Sequence, residues 1–424
     1  MICCKIGLMR RLRGSIYNIL RWSEKYAKTD MVYLTKGGFW TTLNTIISSF
    51  SSFVLTLFFA NFLAPETYGI YKYIFSVYGL LSAFSLSGID ILVIESISKG
   101  KSNVLNQAFN YSLRWNIPFC LISFATSIYY YLASNFELAT AFSFIAILAP
   151  LISSFGLFGS YLNGKKNFKL LSIANSVNNL ITSAIVLIAT IYTQNPVIIV
   201  FSYFISQTII NGFFYLYTSK KSREGSPDMA EIDLSKGKHF SVMNIFTVIS
   251  QHLDKIVIFH LLGGSSLALY SFALAPVNQI QGLLKSSGPL YSPKILAKTK
   301  EENKRELPKK FIQILGLMII PVLIYVILVP YFYRFFFPQY VDATIYSQFY
   351  ALILLLFGKK FIGIPTVIHL PKKTLYKISI INALVVLTPK LSLIYFFGLP
   401  GAIAGEILAN ILLTLVSFYY FKRM

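Results

Sequence analysis

The sequence predicts an all-α integral membrane protein, with about twelve transmembrane helices in two six-helix bundles and both termini in the cytoplasm. Three observations lead to this prediction: twelve apolar stretches of membrane-spanning length, a low content of charge, and an alternation of basic and non-basic connections. Of the 424 residues, 55% are hydrophobic and 13% are charged, roughly half of the ~25% charged residues of soluble domains. So little charge cannot cover the surface of a soluble protein.

The predicted spans follow from length and hydropathy. About 20 helical residues cross a hydrocarbon core of ~30 Å. Backbone polar groups in lipid must be satisfied within the protein, which favours helices. The predicted spans are residues 39–63, 69–97, 108–132, 138–162, 168–192, 197–218, 240–263, 266–293, 311–334, 343–370, 375–397 and 400–421.

The distribution of lysine and arginine predicts the orientation of these spans. Odd-numbered connections carry almost no Lys or Arg, whereas even-numbered connections are basic, as at Lys165 and Lys166. Both termini are basic too, with arginines among residues 10–21 at one end and Lys422 and Arg423 at the other. Because short cytoplasmic loops keep an excess of Lys and Arg, both termini are predicted to face the cytoplasm.

The longest polar connection divides the chain into two similar halves. The predicted order is a basic amphipathic cytoplasmic segment (1–36), an N-terminal six-helix bundle (37–218), a cytoplasmic linker (219–239) and a C-terminal six-helix bundle (240–424). Residues 63–71 resemble residues 262–270, which lie about 200 residues later. Six spans bring each half back to the side where it began. The sequence therefore predicts a parallel repeat about an axis along the membrane normal, as in transporters whose site lies between two bundles.

The net charge of +22 does not indicate nucleic acid, because the cations are spread over several short loops rather than gathered on one face. The cations instead mark the connections that are predicted to face the cytoplasm, where they also attract the anionic lipid of the inner leaflet. Cys3, Cys4 and Cys120 provide neither a disulfide framework nor metal-ligand spacing. No catalytic or ATP-hydrolysis motif is present, so the sequence predicts no enzyme, no cofactor and no metal site.

Ionisable residues inside the predicted spans are the candidate functional residues, because charge within a bilayer is costly and usually faces a cavity. Lys359 and Lys360 lie near the middle of span ten, too deep for both to reach an interface easily. They predict a cationic site for an anionic headgroup such as a pyrophosphate. The alternatives are a buried pair with Asp254 or Glu406, or an error in the placement of the span. The predicted substrate-binding residues of the cationic cleft are Lys359, Lys360, Lys390, Lys285 and Arg114.

Three further residues are candidates for ion coupling: Asp254, Asp90 and His252. Asp254 stands beside Lys255, so it is either half of a neutralised structural pair or a group that titrates with a proton or sodium ion. Asp90 and Arg114 come from consecutive spans at similar depth, so they form a salt bridge or both line the cytoplasmic vestibule. His252 is either a hydrogen-bonded packing residue or a proton relay.

Five segments are specific enough to compare with a known family: KGGFW at 36–40, ANFLAPETYGIY at 60–71, LSGID at 86–90, QHLDK at 251–255 and FGLPGAIA at 397–404. Together they resemble the polysaccharide-biosynthesis (Wzx-type) flippases of the multidrug/oligosaccharidyl-lipid/polysaccharide exporter superfamily. The family usually has an arginine where this chain has Asn61.

This resemblance implies two six-helix bundles around a central cleft. It also implies that an undecaprenyl-pyrophosphate-linked oligosaccharide (the repeat unit of an O-antigen, capsule or other surface polysaccharide) moves from the inner to the outer leaflet of a bacterial cytoplasmic membrane. The expected partners are membrane lipid and, by family analogy, polysaccharide polymerase and chain-length proteins. Two alternatives stay open. One is a multidrug exporter of the same superfamily, although a cationic cleft would repel cationic drugs. The other is a membrane-embedded polysaccharide polymerase or ligase, although the outer loops are short for such an enzyme.

Overall fold

The computed structural model describes residues 31–85, 88–101, 104–222, 234–286, 291, 295 and 298–424, and the ordered elements in these residues are all helical. The first 30 residues of the predicted amphipathic segment lie outside the described residues, as do residues 223–233 of the predicted linker.

Fourteen α-helices are present in the described part of the chain. Three 3-10 helices accompany them: Ser82–Phe84, Pro338–Tyr340 and Ala351–Gly358. The α-helices are α1 (Met31–Phe62), α2 (Pro65–Leu81), α3 (Ile89–Ser98), α4 (Val104–Trp115), α5 (Ile117–Leu132), α6 (Phe136–Gly164), α7 (Phe168–Tyr192), α8 (Pro196–Ser222), α9 (Leu234–Leu262), α10 (Gly264–Ser286), α11 (Lys300–Phe336), α12 (Ala343–Tyr350), α13 (Lys359–His369) and α14 (Lys372–Arg423).

The prediction of a helical protein with multiple membrane spans is confirmed. Among the described residues, eight helices are long and apolar enough to cross a membrane, or nine if the bent pair of α2 and α3 counts as one span. Helix α14 has 52 residues, so a straight helix of that length would measure ~78 Å, more than twice a hydrocarbon core. Its backbone breaks at Gly398 (φ 61°, ψ −133°), a conformation that glycine tolerates best. The prediction of twelve crossings remains a prediction.

The segments 63–71 and 262–270, which the sequence relates as a repeat, contact each other. The Glu66 carboxylate accepts hydrogen bonds from the backbone N–H and the hydroxyl of Ser265, each at 2.9 Å. Glu66 thus caps the N-terminus of α10, where backbone N–H groups lack helical partners and the helix dipole favours negative charge. A Cβ atom at Gly69 would overlap the backbone of Gly264, so these two segments approach closely.

Aromatic residues extend this contact between the halves into a shared core. Tyr68 on α2 stacks on Phe272 of α10 with ring centroids 4.5 Å apart, and the Tyr73 and Phe259 rings are 4.0 Å apart. The Asn61 amide donates to the Phe336 carbonyl at 3.1 Å, so this departure from the family pattern also joins the two halves.

The buried clusters diverge toward the ends of the helices where the predicted basic connections lie. The largest cluster contains residues of both halves. A second cluster draws only on residues between 89 and 215, and a third only on residues between 295 and 424. The described residues therefore share one core at the end without basic connections and have separate cores at the other end.

We expect Gly69→Ala to lower the free energy of unfolding by about 1–3 kcal/mol, because overpacking against a backbone cannot be relieved by rotating a side chain. Gly282→Ala is the matched control, since a Cβ atom at this position of α10 meets nothing within 4 Å. The measurement is the thermal unfolding midpoint of purified protein in detergent. Equal midpoints for the two variants would contradict the close approach of α2 and α10.

Candidate functional site

A buried ion network joins α9 to both segments of α14. The Lys390 ammonium forms an ion pair with Glu406 and lies 3.5 Å from Oδ2 of Asp254. Asp254 is 2% exposed and Lys390 is 5% exposed. Burial of this kind is tolerated only when each charge has a partner and hydrogen bonds satisfy the remaining polar atoms.

The sequence of α14 explains how Lys390 and Glu406 come to face each other. The break at Gly398 turns the chain so that the two segments of α14 pack against one another. Cβ atoms at Gly401 and Gly405 would overlap the Leu393 carbonyl and the Lys390 backbone, respectively. This small-xxx-small spacing lets two helices approach closely in a membrane, and it brings both charged side chains within reach.

Asp254 has additional partners on α9 and α10. Its Oδ2 accepts a hydrogen bond from the Tyr270 hydroxyl at 3.0 Å. Its Oδ1 accepts one from the Lys255 backbone N–H at 2.9 Å and lies 3.6 Å from the Lys255 ammonium. The carboxylate is therefore paired on both oxygens, as in the structural alternative predicted from the sequence. Whether Asp254 also couples to an ion remains a prediction.

Lys359 and Lys360 lie in the middle of the chain segment that was predicted as span ten, but they do not form the buried pair with Asp254 or Glu406. The 3-10 helix Ala351–Gly358 precedes them, and α13 begins at Lys359. Lys359 donates to Oδ1 of Asn410 on α14 at 2.6 Å. The carboxylates instead pair with Lys390, which reaches them from the facing segment of α14.

The Lys360 ammonium is a buried cation of this site that has neither a hydrogen-bond nor an ion-pair partner in the described part of the chain. Its Nζ atom is buried and makes no hydrogen bond there, and it lies 5.0 Å from the centroid of the Phe357 ring. Lys285 on α10 and the neighbouring Lys359 are close enough for their charges to repel it. The structure thus groups three of the five predicted cationic residues around one position, with Lys390 engaged by carboxylates nearby.

The remaining predicted residues lie in or against the N-terminal half. Arg114 is exposed on α4. Asp90 on α3 accepts a hydrogen bond from the Ser160 hydroxyl at 2.5 Å, and it forms no ion pair with Arg114 in the described part of the chain. The predicted salt bridge is therefore absent from this structure, and a lining of the cytoplasmic vestibule by both residues remains a prediction. The His252 ring packs where a Cβ atom at Gly79 would lie, which places this histidine between the two halves. Its buried Nδ1 has no hydrogen-bond partner in the described ranges.

Sequence reasoning missed three side chains at these positions. Lys72 on α2 lies 5.2 Å from the Tyr68 ring, in cation–π geometry. Its position four residues after Tyr68, inside a predicted span, was the signal that could have identified it. Tyr270 and Asn410 are uncharged, so a search for charge inside spans could not find them. In the described residues, no three His, Cys, Asp or Glu side chains converge as a metal site.

We expect Lys390→Met to lower the free energy of unfolding by about 3–5 kcal/mol, because it leaves two buried carboxylates without their shared cation. Lys285→Met is the matched control, because this substitution removes the same charge from an exposed position. The measurement is the unfolding midpoint in detergent. Lys390→Met combined with Glu406→Gln should recover part of the loss, since Asp254 keeps Lys255 and Tyr270. A double variant no more stable than the single one would show that charge pairing is not the cause.

Comparisons with known proteins agree with this fold. A family model described as "Polysaccharide biosynthesis protein" matches residues 34–291. The Shigella flexneri protein named "Putative O-antigen transporter" is 22% identical in an alignment 424 positions long, which covers 92% of this chain and 98% of that relative. The structure of lipid II flippase MurJ in an inward closed conformation superposes with a TM-score of 0.65 at 15% identity, covering 90% and 87% of the two chains. An outward-facing multidrug resistance MATE family transporter gives 0.62 at 14% identity, covering 92% and 95%.

Proposed function

The chain belongs to the polysaccharide biosynthesis protein family, and we propose that it is a flippase for an undecaprenyl-pyrophosphate-linked oligosaccharide. The cargo is the repeat unit of an O-antigen, capsule or other surface polysaccharide, and it moves from the inner to the outer leaflet of a bacterial cytoplasmic membrane. The description of the matching family and the name of the Shigella flexneri relative support this class of cargo. Twelve crossings with both termini inside, in the proposed topology, give each half the same orientation.

The Lys360 ammonium, which is buried and makes no ion pair or hydrogen bond in the described part of the chain, is the observation that supports an anionic headgroup. Charge at the centre of a span costs at least ~2.5 kcal/mol on insertion scales, so a buried ammonium needs an anionic partner. The two carboxylates of the described site, Asp254 and Glu406, already contact Lys390. A pyrophosphate brought by the substrate supplies the missing negative charge, and lysine binds phosphate as a point charge. Lys359 and Lys285 add to the same positive field.

The distribution of the core supports alternating access. The halves share one core at the end with the non-basic connections and have separate cores at the other end. In the proposed orientation the separate cores are the cytoplasmic ones, so the glycan enters between them while the polyprenyl tail stays in lipid. Rocking of two rigid bundles about a site between them is the mode of many transporters with internal repeats. Ion coupling through Asp254, Asp90 or His252 remains a prediction.

Export of small cationic drugs fits these charges poorly. Five lysines and two carboxylates lie in the ion network and beside it, and like charges repel most strongly where water is excluded. The MATE transporters share the fold at 14% identity, which carries no information on cargo. The lysines are Lys255, Lys285, Lys359, Lys360 and Lys390.

In a strain lacking the gene, we expect complete lipid-linked glycan units to accumulate on the inner leaflet. Spheroplasts probed with an impermeant lectin should show little signal until the membrane is opened. Restoring the gene should return the glycan to the outer face. Unpolymerised single units that reach the outer face in the deletion strain would instead indicate a polymerase.

In the complemented strain, Lys359→Ala combined with Lys360→Ala should reduce surface glycan at least about tenfold, because each lost charge-assisted hydrogen bond contributes ~1.5–3 kcal/mol. Lys309→Ala combined with Lys310→Ala is the matched control, because this double substitution removes the same charge from exposed positions on α11. Surface glycan is measured beside membrane protein level by immunoblot. Normal surface glycan in the first variant, at an unchanged protein level, would refute the proposed headgroup site.

A further inference from the structure

A polar cavity in the N-terminal half has no part in the cationic site. Its volume is about 380 Å³, within the ~300–1,000 Å³ of small-molecule sites. It lies between α3, α6, α7 and α8. Its polar lining consists of Asp90, Ser160, Asn163, Asn175 and Asn211.

These groups match an uncharged polyhydroxylated ligand. The lining includes three amides, one hydroxyl and one carboxylate, and no lysine or arginine among its described residues. An asparagine side chain donates hydrogen bonds through its NH₂ group and accepts them through its oxygen. A sugar hydroxyl group can likewise both donate and accept. Phe158 and Leu171 add apolar surface, suited to the C–H face of a sugar ring.

Two of the polar groups are fixed in place by neighbours. Asp90 accepts a hydrogen bond from Ser160 at 2.5 Å. The buried Asn211 accepts one from Asn178 on α7 at 3.0 Å. Side chains held by a second set of hydrogen bonds lose less entropy when a ligand binds. The cavity is therefore partly preorganised.

Two glycines on α6 keep the cavity open. Gly156 and Gly159 both line it. A Cβ atom at Gly156 would meet nothing within 4 Å, and one at Gly159 would touch only a Leu171 methyl group at 3.6 Å. Both glycines lie inside a 29-residue helix, where glycine destabilises by ~1 kcal/mol relative to alanine. The absence of side chains at these two positions leaves space for a sugar ring beside the helix.

The charge of the cavity disfavours anionic ligands. The Asp90 carboxylate repels phosphates and acidic sugars, with no cation in the described lining to offset it. A hard cation such as Ca²⁺ takes 6–8 oxygen ligands, whereas the Asn211 oxygen is already engaged by Asn178. Of these ligand classes, uncharged sugars are the one whose hydroxyl groups pair with both the hydrogen-bond donors and the acceptors of the lining.

We propose that this cavity binds an uncharged sugar residue of the glycan, and that Asp90 disfavours acidic sugars there. The inference rests on the proposed function for the identity of the cargo, and it assigns the two halves different tasks. The C-terminal half holds the pyrophosphate through its lysines. The N-terminal half recognises sugar through amides, a hydroxyl and one carboxylate.

Binding of free oligosaccharides to the full-length protein in nanodiscs tests this proposal without requiring transport. The probes are two neutral tetrasaccharides, chitotetraose and maltotetraose, and an acidic one of equal length, hyaluronan tetrasaccharide. Saturation-transfer NMR with titration gives the dissociation constants. We expect at least one neutral probe to bind about fivefold or more tightly than the acidic probe. Binding of neither neutral probe, or equal binding of the acidic one, would overturn the proposal.

Two variants locate the binding in the cavity. Gly156→Leu fills the cavity without removing a polar group and should abolish binding of the neutral probe. Gly316→Leu on α11, another glycine with open space around it, is the matched control and should leave binding unchanged. Asp90→Asn should bring the dissociation constants of the neutral and acidic probes closer together, because it removes the charge that repels the acidic probe. Unchanged neutral binding in Gly156→Leu would place the sugar elsewhere and refute the assignment.

The two proposals fail separately. A protein that binds neutral tetrasaccharides in the cavity but whose loss leaves glycan on the outer leaflet binds sugar without being the flippase. A protein that passes the leaflet experiment but ignores the tetrasaccharides, or binds them equally in Gly156→Leu, is a flippase without this sugar site.

Discussion

Pairing of buried charge is the constraint on which the C-terminal half depends. A carboxylate or ammonium out of water is stabilised only by a partner of opposite charge and by hydrogen bonds to its remaining polar atoms. Asp254 meets this condition through Lys390 and the Tyr270 hydroxyl. Glu406 has its partner of opposite charge in the same Lys390 ammonium. Because these side chains come from α9, α10 and both segments of α14, their pairing fixes how the helices pack. The break at Gly398 and the glycines that follow it serve the same contact.

Once these charges are satisfied, the lysines beside them are in excess. Lys359 donates to the neutral oxygen of Asn410, while Lys360 makes no hydrogen bond in the described part of the chain and lies over the Phe357 ring. The N-terminal half differs, because its polar groups are mostly amides and hydroxyls that bond to one another, as Asn178 does with Gln207 and Asn211. A lipid-linked glycan has the same division, with charge at the pyrophosphate and hydroxyl groups along the sugars. The proposed cargo therefore matches the polarity of the two halves.

Hydropathy predicted the helices well because burial in lipid requires continuous apolar segments. It could not predict the 3-10 helix Ala351–Gly358, whose eight residues are as apolar as any other span. Charge inside spans identified Asp254, Lys390 and Glu406 as unusual, but depth along the chain does not tell which side of a helix faces which neighbour. For that reason the sequence could not assign Lys390, rather than Lys359 or Lys360, to the carboxylates. The same limit made Asp90 and Arg114 look like a pair although Asp90 bonds to Ser160.

The contact between the halves combines a packed aromatic core with hydrogen bonds that are mostly exposed or half-buried. Close approach of Gly69 to Gly264 and stacking of Tyr68 on Phe272 give it a well-packed core. Its charged element, the Glu66 carboxylate on the N-terminus of α10, exchanges readily for water because both groups are exposed. If alternating access operates as proposed, separating the halves at this end exposes apolar and aromatic surface but breaks no ion pair of the buried network, since the members of that network in the described residues all belong to the C-terminal half. Rocking of the bundles then leaves the costly charge pairs intact and changes only contacts that water or lipid can replace.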